Sequence, residues 1–322
     1  MKKREFGIAA VATVLLLALP VATAVVEYTK GQTPLQAAAE ESPEALAEYD
    51  TGHDFAFTPV TPSEEAVPLN MADEASVEPV YDDKTSVYLS MLDAIDNYDY
   101  AKVTFETTMF GGVVTYTCET DMNTGYAYQK CINPEKGGLV MEDACNGENV
   151  ILVDHVGDWY DPAYKTAVLR ENVDAIAPED RITVSDDGLP SYAYRENATN
   201  CFRASYCLYP QEIAYSYLKD FSMWEITGEE MYLDRNCVVI NGTLCDYTAT
   251  KHGISDFTMY VDKETGILMQ LFGTNNGDEI SLIKVTECSF QQPRAVVDHY
   301  AELLNAVQAN AYTNIAEETV SE

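Results

Sequence analysis

Residues 223–290 read MWEITGEEMYLDRNCVVINGTLCDYTATKHGISDFTMYVDKETGILMQLFGTNNGDEISLIKVTECSF. Short runs rich in Val, Ile, Tyr, Phe and Thr alternate with polar residues and break at turn formers, which is the pattern of half-buried antiparallel strands. The reading places strands at residues 223–227, 231–240, 243–251, 256–261, 267–272 and 279–290. Asn241-Gly242 supplies a two-residue hairpin turn. In Asp262-Lys263-Glu264-Thr265-Gly266 the carboxylate of Asp262 caps a turn, and Gly266 provides the positive φ that closes it. Asn276-Gly277-Asp278 turns the chain into the long last strand, which Gln291-Gln292-Pro293 stops.

Working outward, the segment upstream opens with a helix, since Val87, Tyr88, Met91, Leu92, Ile95 and Tyr98 recur at helical spacing. Strands follow at 102–110, 113–119, 126–132, 138–141, 149–154 and about Trp159. Residues 163–209 carry a helical pattern near 165–173 amid polar turns. A second amphipathic helix starts after Pro210, with Ile213, Tyr217, Leu218 and Phe221 as its apolar stripe. Residues 295–311 form a closing helix. No internal linker or repeat divides residues 84–311, so they read as one domain.

The eight cysteines form no C-x-x-C pair, and in an exported chain that spacing favours structural disulfides over zinc or redox chemistry. Counting outward from a two-residue turn at Thr124-Gly125 puts Cys118 opposite Cys131. The Asn241-Gly242 turn brings Cys237 toward Cys245, Cys201 and Cys207 close a short loop, and elimination leaves Cys145 with Cys288.

From Trp224 to Phe290 the order of features resembles the C-terminal half of LolA/RseB-type domains, the lipoprotein carriers and lipoprotein sensors of the cell envelope. Trp224-Glu225-Ile226-Thr227-Gly228 leads into strands, then Val261-Asp262-Lys263-Glu264-Thr265-Gly266, an apolar strand and Asn276-Gly277-Asp278 before the long final strand. The resemblance implies a mainly β fold: an open, curved antiparallel sheet, or half-barrel, with a few helices covering its concave face. It also implies an apolar hollow for acyl chains, or a surface that signals to a partner. If the sheet stays open beneath the helices, Tyr88, Met91, Leu92 and Ile95 with Tyr217, Leu218 and Phe221 line that hollow. The cysteine framework and the acidic segment before the domain depart from the carrier pattern, and the carriers' ligand-contacting arginine has no counterpart here.

The N-terminus sets the compartment. Lys2, Lys3 and Arg4 precede an uncharged apolar run from Phe6 to Val26 containing Pro20 and Ala22-Thr23-Ala24, the layout of a signal peptide. The run is also long enough to remain as a membrane anchor, so residues 1–26 are expected to be one or the other, and the chain to be exported, either secreted or held at the cell membrane. Lipid modification at the N-terminus is not expected, because the first cysteine is Cys118. Residues 27–83, rich in Ala, Pro, Glu and Thr, read as a disordered acidic stalk, spanning on the order of 40 Å as a flexible chain. Residues 312–322 read as a flexible tail.

Composition narrows the chemistry. A net charge of −34 and a pI near 4.2 repel phosphate backbones and exclude nucleic acid as a partner. His53, His155, His252 and His299 are too dispersed for a metal site, no G-x-S-x-G nucleophile elbow occurs, and no cofactor motif is found. Adjacent acids (Asp82-Asp83, Glu179-Asp180, Asp186-Asp187, Asp278-Glu279) are expected in so acidic a chain, and neighbours on a strand face opposite ways. The twenty-two tyrosines suit half-exposed strands. With these exclusions, the resemblance implies a non-enzymatic envelope protein that binds a lipid or lipoprotein acyl chain. The alternatives are a regulatory module contacting a membrane signalling protein and, further off, a sugar-binding or hydrolytic surface protein.

Overall fold

In a computed structural model of the chain, the structure describes residues 82–318 apart from 109–111, 185–189, 276–277 and 294–296. The signal or anchor expected at residues 1–26 and nearly all of the expected stalk lie outside the described residues.

Twelve strands make one curved sheet that does not close into a barrel, in the order β14-β6-β5-β4-β3-β2-β1-β13-β12-β11-β10-β9. The first meander comprises β1 (Tyr100–Thr107), β2 (Val114–Asp121), β3 (Tyr126–Asn133), β4 (Gly138–Asn146), β5 (Asn149–Asp154) and β6 (Trp159–Thr166). The second comprises β9 (Trp224–Tyr232), β10 (Arg235–Thr243), β11 (Asp256–Asp262), β12 (Leu268–Asn275) and β13 (Asp278–Ser289). The two meanders join where β1 pairs antiparallel with β13. A separate two-stranded ribbon, β7 (Ile182–Val184) with β8 (Pro190–Tyr192), lies in the connection between them.

Alternation along the strands sorts side chains between the two faces. Ala101, Val103 and Phe105 of β1 are fully buried on the concave face, while Lys102 and Glu106 are exposed on the other. Two helices cover the concave face. The first, α1 (Asp83–Leu92), starts at Asp82, whose side chain accepts the Thr85 N–H. The second, α2 (Gln211–Tyr217), follows Pro210 as the sequence predicts. Lys84 ties α1 to the segment that leads from α2 into β9 by donating to the carbonyls of Phe221 (2.9 Å) and Trp224 (2.6 Å).

The closing helix α4 (His299–Ala309) packs on the opposite, convex face. There Leu303 and Val307 meet Ala144, Ile151, Val153 and Tyr160 in a second, smaller core. The expected tail is docked as far as Glu318. Strand β14 (Thr313–Asn314) pairs parallel with β6, and Tyr312 reaches His155 at 3.0 Å.

The predicted hairpin at Asn241-Gly242 does not form. Strand β10 runs on through both residues, and the turn falls earlier, at Leu233 and Asp234, which adopt positive φ (49° and 59°). Gly242 is a packing glycine: it pairs with Trp224 and Phe257 on either side, and a Cβ there would lie 2.5 Å from the Phe257 ring and 2.7 Å from Trp224. The stretch read as a strand at 243–251 contains helix α3 (Asp246–His252), ended by Gly253 at φ 70°. Gly266 has the predicted positive φ (74°) and a second reason to be glycine. Its Cβ position lies 2.1 Å from the Ser90 carbonyl oxygen, so the β11–β12 turn abuts the backbone of α1.

The register also revises the cysteine pairings. The β2–β3 loop holds four residues, organised by Asp121 Oδ1, which accepts from Asn123 and Thr124 N–H. Cys118 therefore faces Gln129, and Cys131 faces Tyr116, leaving the two cysteines diagonal neighbours on one face. Such diagonals are ~7–8 Å apart, against the ~4.4–6.8 Å between the Cα atoms of a disulfide. Cys237 and Cys245 sit at opposite ends of the extended β10, since Cys245 caps α3; six residues of strand alone span about 20 Å. Cys145 on β4 and Cys288 on β13 are separated by β3, β2 and β1, which at ~4.8 Å per strand places them roughly 19 Å apart. Cys201 and Cys207 flank the 3-10 turn Phe202–Tyr206; a turn of that kind rises ~2.0 Å per residue, so it spaces its two ends rather than joining them.

Candidate functional site: a filled concave face

Every helix residue expected to line an open hollow is instead part of a packed core. Tyr88, Met91, Leu92, Ile95 and Leu218 are 0% exposed and Tyr217 is 3% exposed; Phe221 is half-buried. The aromatic members meet edge-on: Tyr88 with Phe221 at 5.5 Å, Phe221 with Trp224 at 5.4 Å and Tyr217 with Phe257 at 5.2 Å between ring centres. Beneath them the sheet contributes Ile240, Met259, Leu271, Ile283 and Val285, all at 0% exposure. Where the sequence leads one to expect an open hollow, this chain places its own side chains.

The connection between the meanders completes the cover through contacts that no local sequence pattern announces. Arg195, almost wholly buried, donates to Asp93 (2.8 Å) and Asp96 (2.5 Å) at the end of α1, and buried Arg181 bonds the same Asp93. Asn200, at φ 56°, uses its amide as a clip. Oδ1 accepts Val168 N–H (2.8 Å), and Nδ2 donates to the carbonyls of Val168 (2.9 Å) and Gly125 (3.3 Å). These contacts join residues 32 to 102 positions apart, a separation that local periodicity does not register.

Under the 3-10 turn Phe202–Tyr206 lies a small polar patch on the otherwise apolar face. Gln129 and Asp143, opposite each other on β3 and β4, are buried. Gln129 Oε1 accepts from Arg203 N–H at 2.7 Å and from the Cys118 thiol at 3.6 Å. The Arg203 guanidinium lies 4.4 Å from the Phe202 ring centre and donates to Tyr206 Oη at 3.0 Å. Complete burial pushes the Asp143 carboxyl up to about 7, against the opposing pull of Lys165 and the Phe202 amide. The patch is buried away from solvent.

Two surface depressions stand out among the described residues. One, about 30 Å³, lies between the convex side of β1–β3 and the segment leading to α4, beside Tyr100, Tyr128 and His299. The other, about 470 Å³, is a shallow bowl at the β9–β11 end of the sheet, around Trp224, Asn241 and Thr258. No group of three or more His, Cys, Asp or Glu stands together as metal ligands among the described residues. Nor is any described helix long and apolar enough to cross a membrane.

The sheet ends in an open edge at β9, which pairs on one side only, with β10. Residues 227–231 of β9 are exposed, Met231 among them at 67%.

The fold defines a class: a wide open antiparallel sheet with helices on its concave face. No protein-family model and no curated protein matches the chain. Among solved structures it is similar to the Pseudomonas aeruginosa MucA/MucB complex (15% identity, 66% of this chain and 63% of that one, TM-score 0.33). It is also similar to the Mycobacterium tuberculosis lipoprotein LppX (12% identity, 67% and 97%, TM-score 0.33). A third likeness is to a LolA superfamily protein from Nitrosomonas europaea (10% identity, 64% and 94%, TM-score 0.20). The chain spans 63% of the length of the MucA/MucB chain it matches. At these values the functional reading rests on the chain's own geometry.

Proposed function

We propose that the chain is an exported, non-enzymatic interaction module of the cell envelope, acting on a protein partner through its outer surface. The observation that carries this reading is the filled hollow: Tyr88, Met91, Leu92, Ile95, Tyr217 and Leu218 pack against the sheet and leave no room for an acyl chain. Admitting one would require α1 or α2 to lift away, exposing side chains whose burial contributes ~1.5–3 kcal/mol each. The exposed edge of β9 offers unpaired backbone groups to an incoming strand. Glu225, Glu229 and Glu230 along it disfavour pairing with a second copy and favour a strand carrying Lys or Arg. In this reading residues 1–26 export the chain or hold it at the membrane, where its partner is a membrane signalling protein.

The test is native mass spectrometry of the full exported chain, before and after incubation with phospholipid and with a diacylated peptide. The expected result is a bare polypeptide mass that stays unchanged. A co-purifying or acquired acyl species would refute the filled-hollow reading and make the chain an acyl-chain carrier whose helices open.

A further inference from the structure

Cys201 and Cys118 come together although 83 positions separate them. The Cys201 thiol lies 3.5 Å from the Glu119 carbonyl and 3.4 Å from the Tyr128 carbonyl. Glu119 and Tyr128 are opposite each other in the β2–β3 ladder, and the next pair along is Cys118 with Gln129. Side chains of that next pair point to the concave face, which is the face Cys201 covers. There the Cys118 and Cys201 thiols are neighbours, Cys118 donating to Gln129 on the same ladder whose next carbonyls accept from Cys201. Both are buried, at 0% and 1% exposure.

We propose that Cys118 and Cys201 are joined by a disulfide that fastens the crossing segment to β2. From neighbouring positions on one face, the two sulfurs need only close on each other to reach the ~2.05 Å of a disulfide. Other partners are worse placed. Cys131 is a diagonal neighbour of Cys118 with its own bond to Tyr116, Cys145 accepts from Gly147 N–H, and Cys207 lies beyond the 3-10 turn. In forming the bond the two thiols lose two protons and two electrons. The acceptor is the disulfide of an extracytoplasmic thiol oxidoreductase, which is reduced to its dithiol. The exchange runs through a mixed disulfide, so one thiol must be reachable; with both buried in the folded domain, the bond forms before the crossing segment closes over the sheet. Once made, it is shielded from reductants by the same burial.

The experiment uses the full chain isolated from an oxidising compartment. Free thiols are alkylated under denaturing, non-reducing conditions, and the protein is then digested and mapped by mass spectrometry. The expected result is a linked peptide pair containing Cys118 and Cys201, and in a Cys118→Ala variant Cys201 becomes alkylated. In the native state a thiol reductant should leave the wild-type link intact until urea is added. Finding both cysteines alkylated in the wild type, or either one linked to another cysteine, would overturn the assignment. So would a Cys118→Ala protein whose Cys201 is still not alkylated.

Discussion

Replacing Gly266 by alanine tests how closely the sheet and α1 are fitted. The substitution carries two separable costs. An alanine at φ 74° enters the left-handed region, at about 1–2 kcal/mol. Its Cβ also lands 2.1 Å from the Ser90 carbonyl oxygen and 2.4 Å from its carbon, atoms of a helix backbone rather than of a flexible side chain. Neither side yields easily. The turn is held by Asp262, which accepts from Thr265 N–H (2.9 Å), Thr265 Oγ1 (2.5 Å) and Arg235 (2.7 and 2.9 Å). The helix carries the fully buried Tyr88, Met91 and Leu92. Overpacking of this kind costs about 1–3 kcal/mol, for a total of about 2–5 kcal/mol. Gly253 is the internal control: its φ is 70°, and nothing lies within 4 Å of its Cβ position. Gly253→Ala should therefore show only the backbone cost of about 1–2 kcal/mol. The assay is urea unfolding followed by tryptophan fluorescence, to which Trp224, 1% exposed, contributes beside the half-buried Trp159. Thermal scans should echo it at roughly 2–4 °C per kcal/mol for a domain of this size. Equal losses for the two variants would refute the close approach of turn and helix.

Further outcomes follow from the same interior. Asp143, with its carboxyl raised to about 7, binds a proton more tightly folded than unfolded. Its contribution to stability is therefore present below about pH 4 and is lost as pH rises through 7, by on the order of 4 kcal/mol at most. Asp143→Asn should flatten that fall between pH 4 and 7 in urea titrations, and an unchanged slope would contradict it. His252 has the opposite sign. Burial, with Lys251 nearby, depresses it to about 4, so stability is lost as pH falls from about 6.5 to 4, and His252→Gln should remove that component from the same titrations. Asp93→Ala strips the shared carboxylate from buried Arg181 and Arg195 and should cost about 3 kcal/mol, discounted from the full buried-pair range because Asp93 is partly exposed. A loss under 1 kcal/mol in urea unfolding would mean the network does not hold the crossing segment. Gly242→Ala should destabilise by about 1–3 kcal/mol through contact with Phe257 and Trp224, whereas a hairpin at Asn241-Gly242 would make the same change act through backbone strain alone.

Reading strands from alternation worked where one face is buried and the other wet, because burial itself writes the period of two. That covers most of β1–β5 and β11–β13, the helix after Pro210 and the helix near the end. It failed where a residue has two reasons to be present. Asn241-Gly242 has turn chemistry, yet Gly242 is required by the Trp224 and Phe257 side chains packed over it. Leu233-Asp234, which makes the turn, carries no glycine to announce it. The Thr124-Gly125 hairpin was placed correctly but two residues too tight, because Asp121 adds an Asx turn. That small error was enough to misassign Cys118.

The sequence by itself determined that this is a mainly β chain with amphipathic helices and an acidic surface, because hydrophobic period and charge are local properties. Only the tertiary structure decided whether the helix stripes meet a ligand or the sheet, since an apolar stripe is the same string of residues in either case. It likewise decided that Cys201 meets the β2–β3 ladder, that Arg195 meets Asp93 and Asp96, and that the last helix covers the convex face. Each of these depends on which distant segments the sheet's curvature brings within a few ångströms, and hydrophobic period carries no record of that distance.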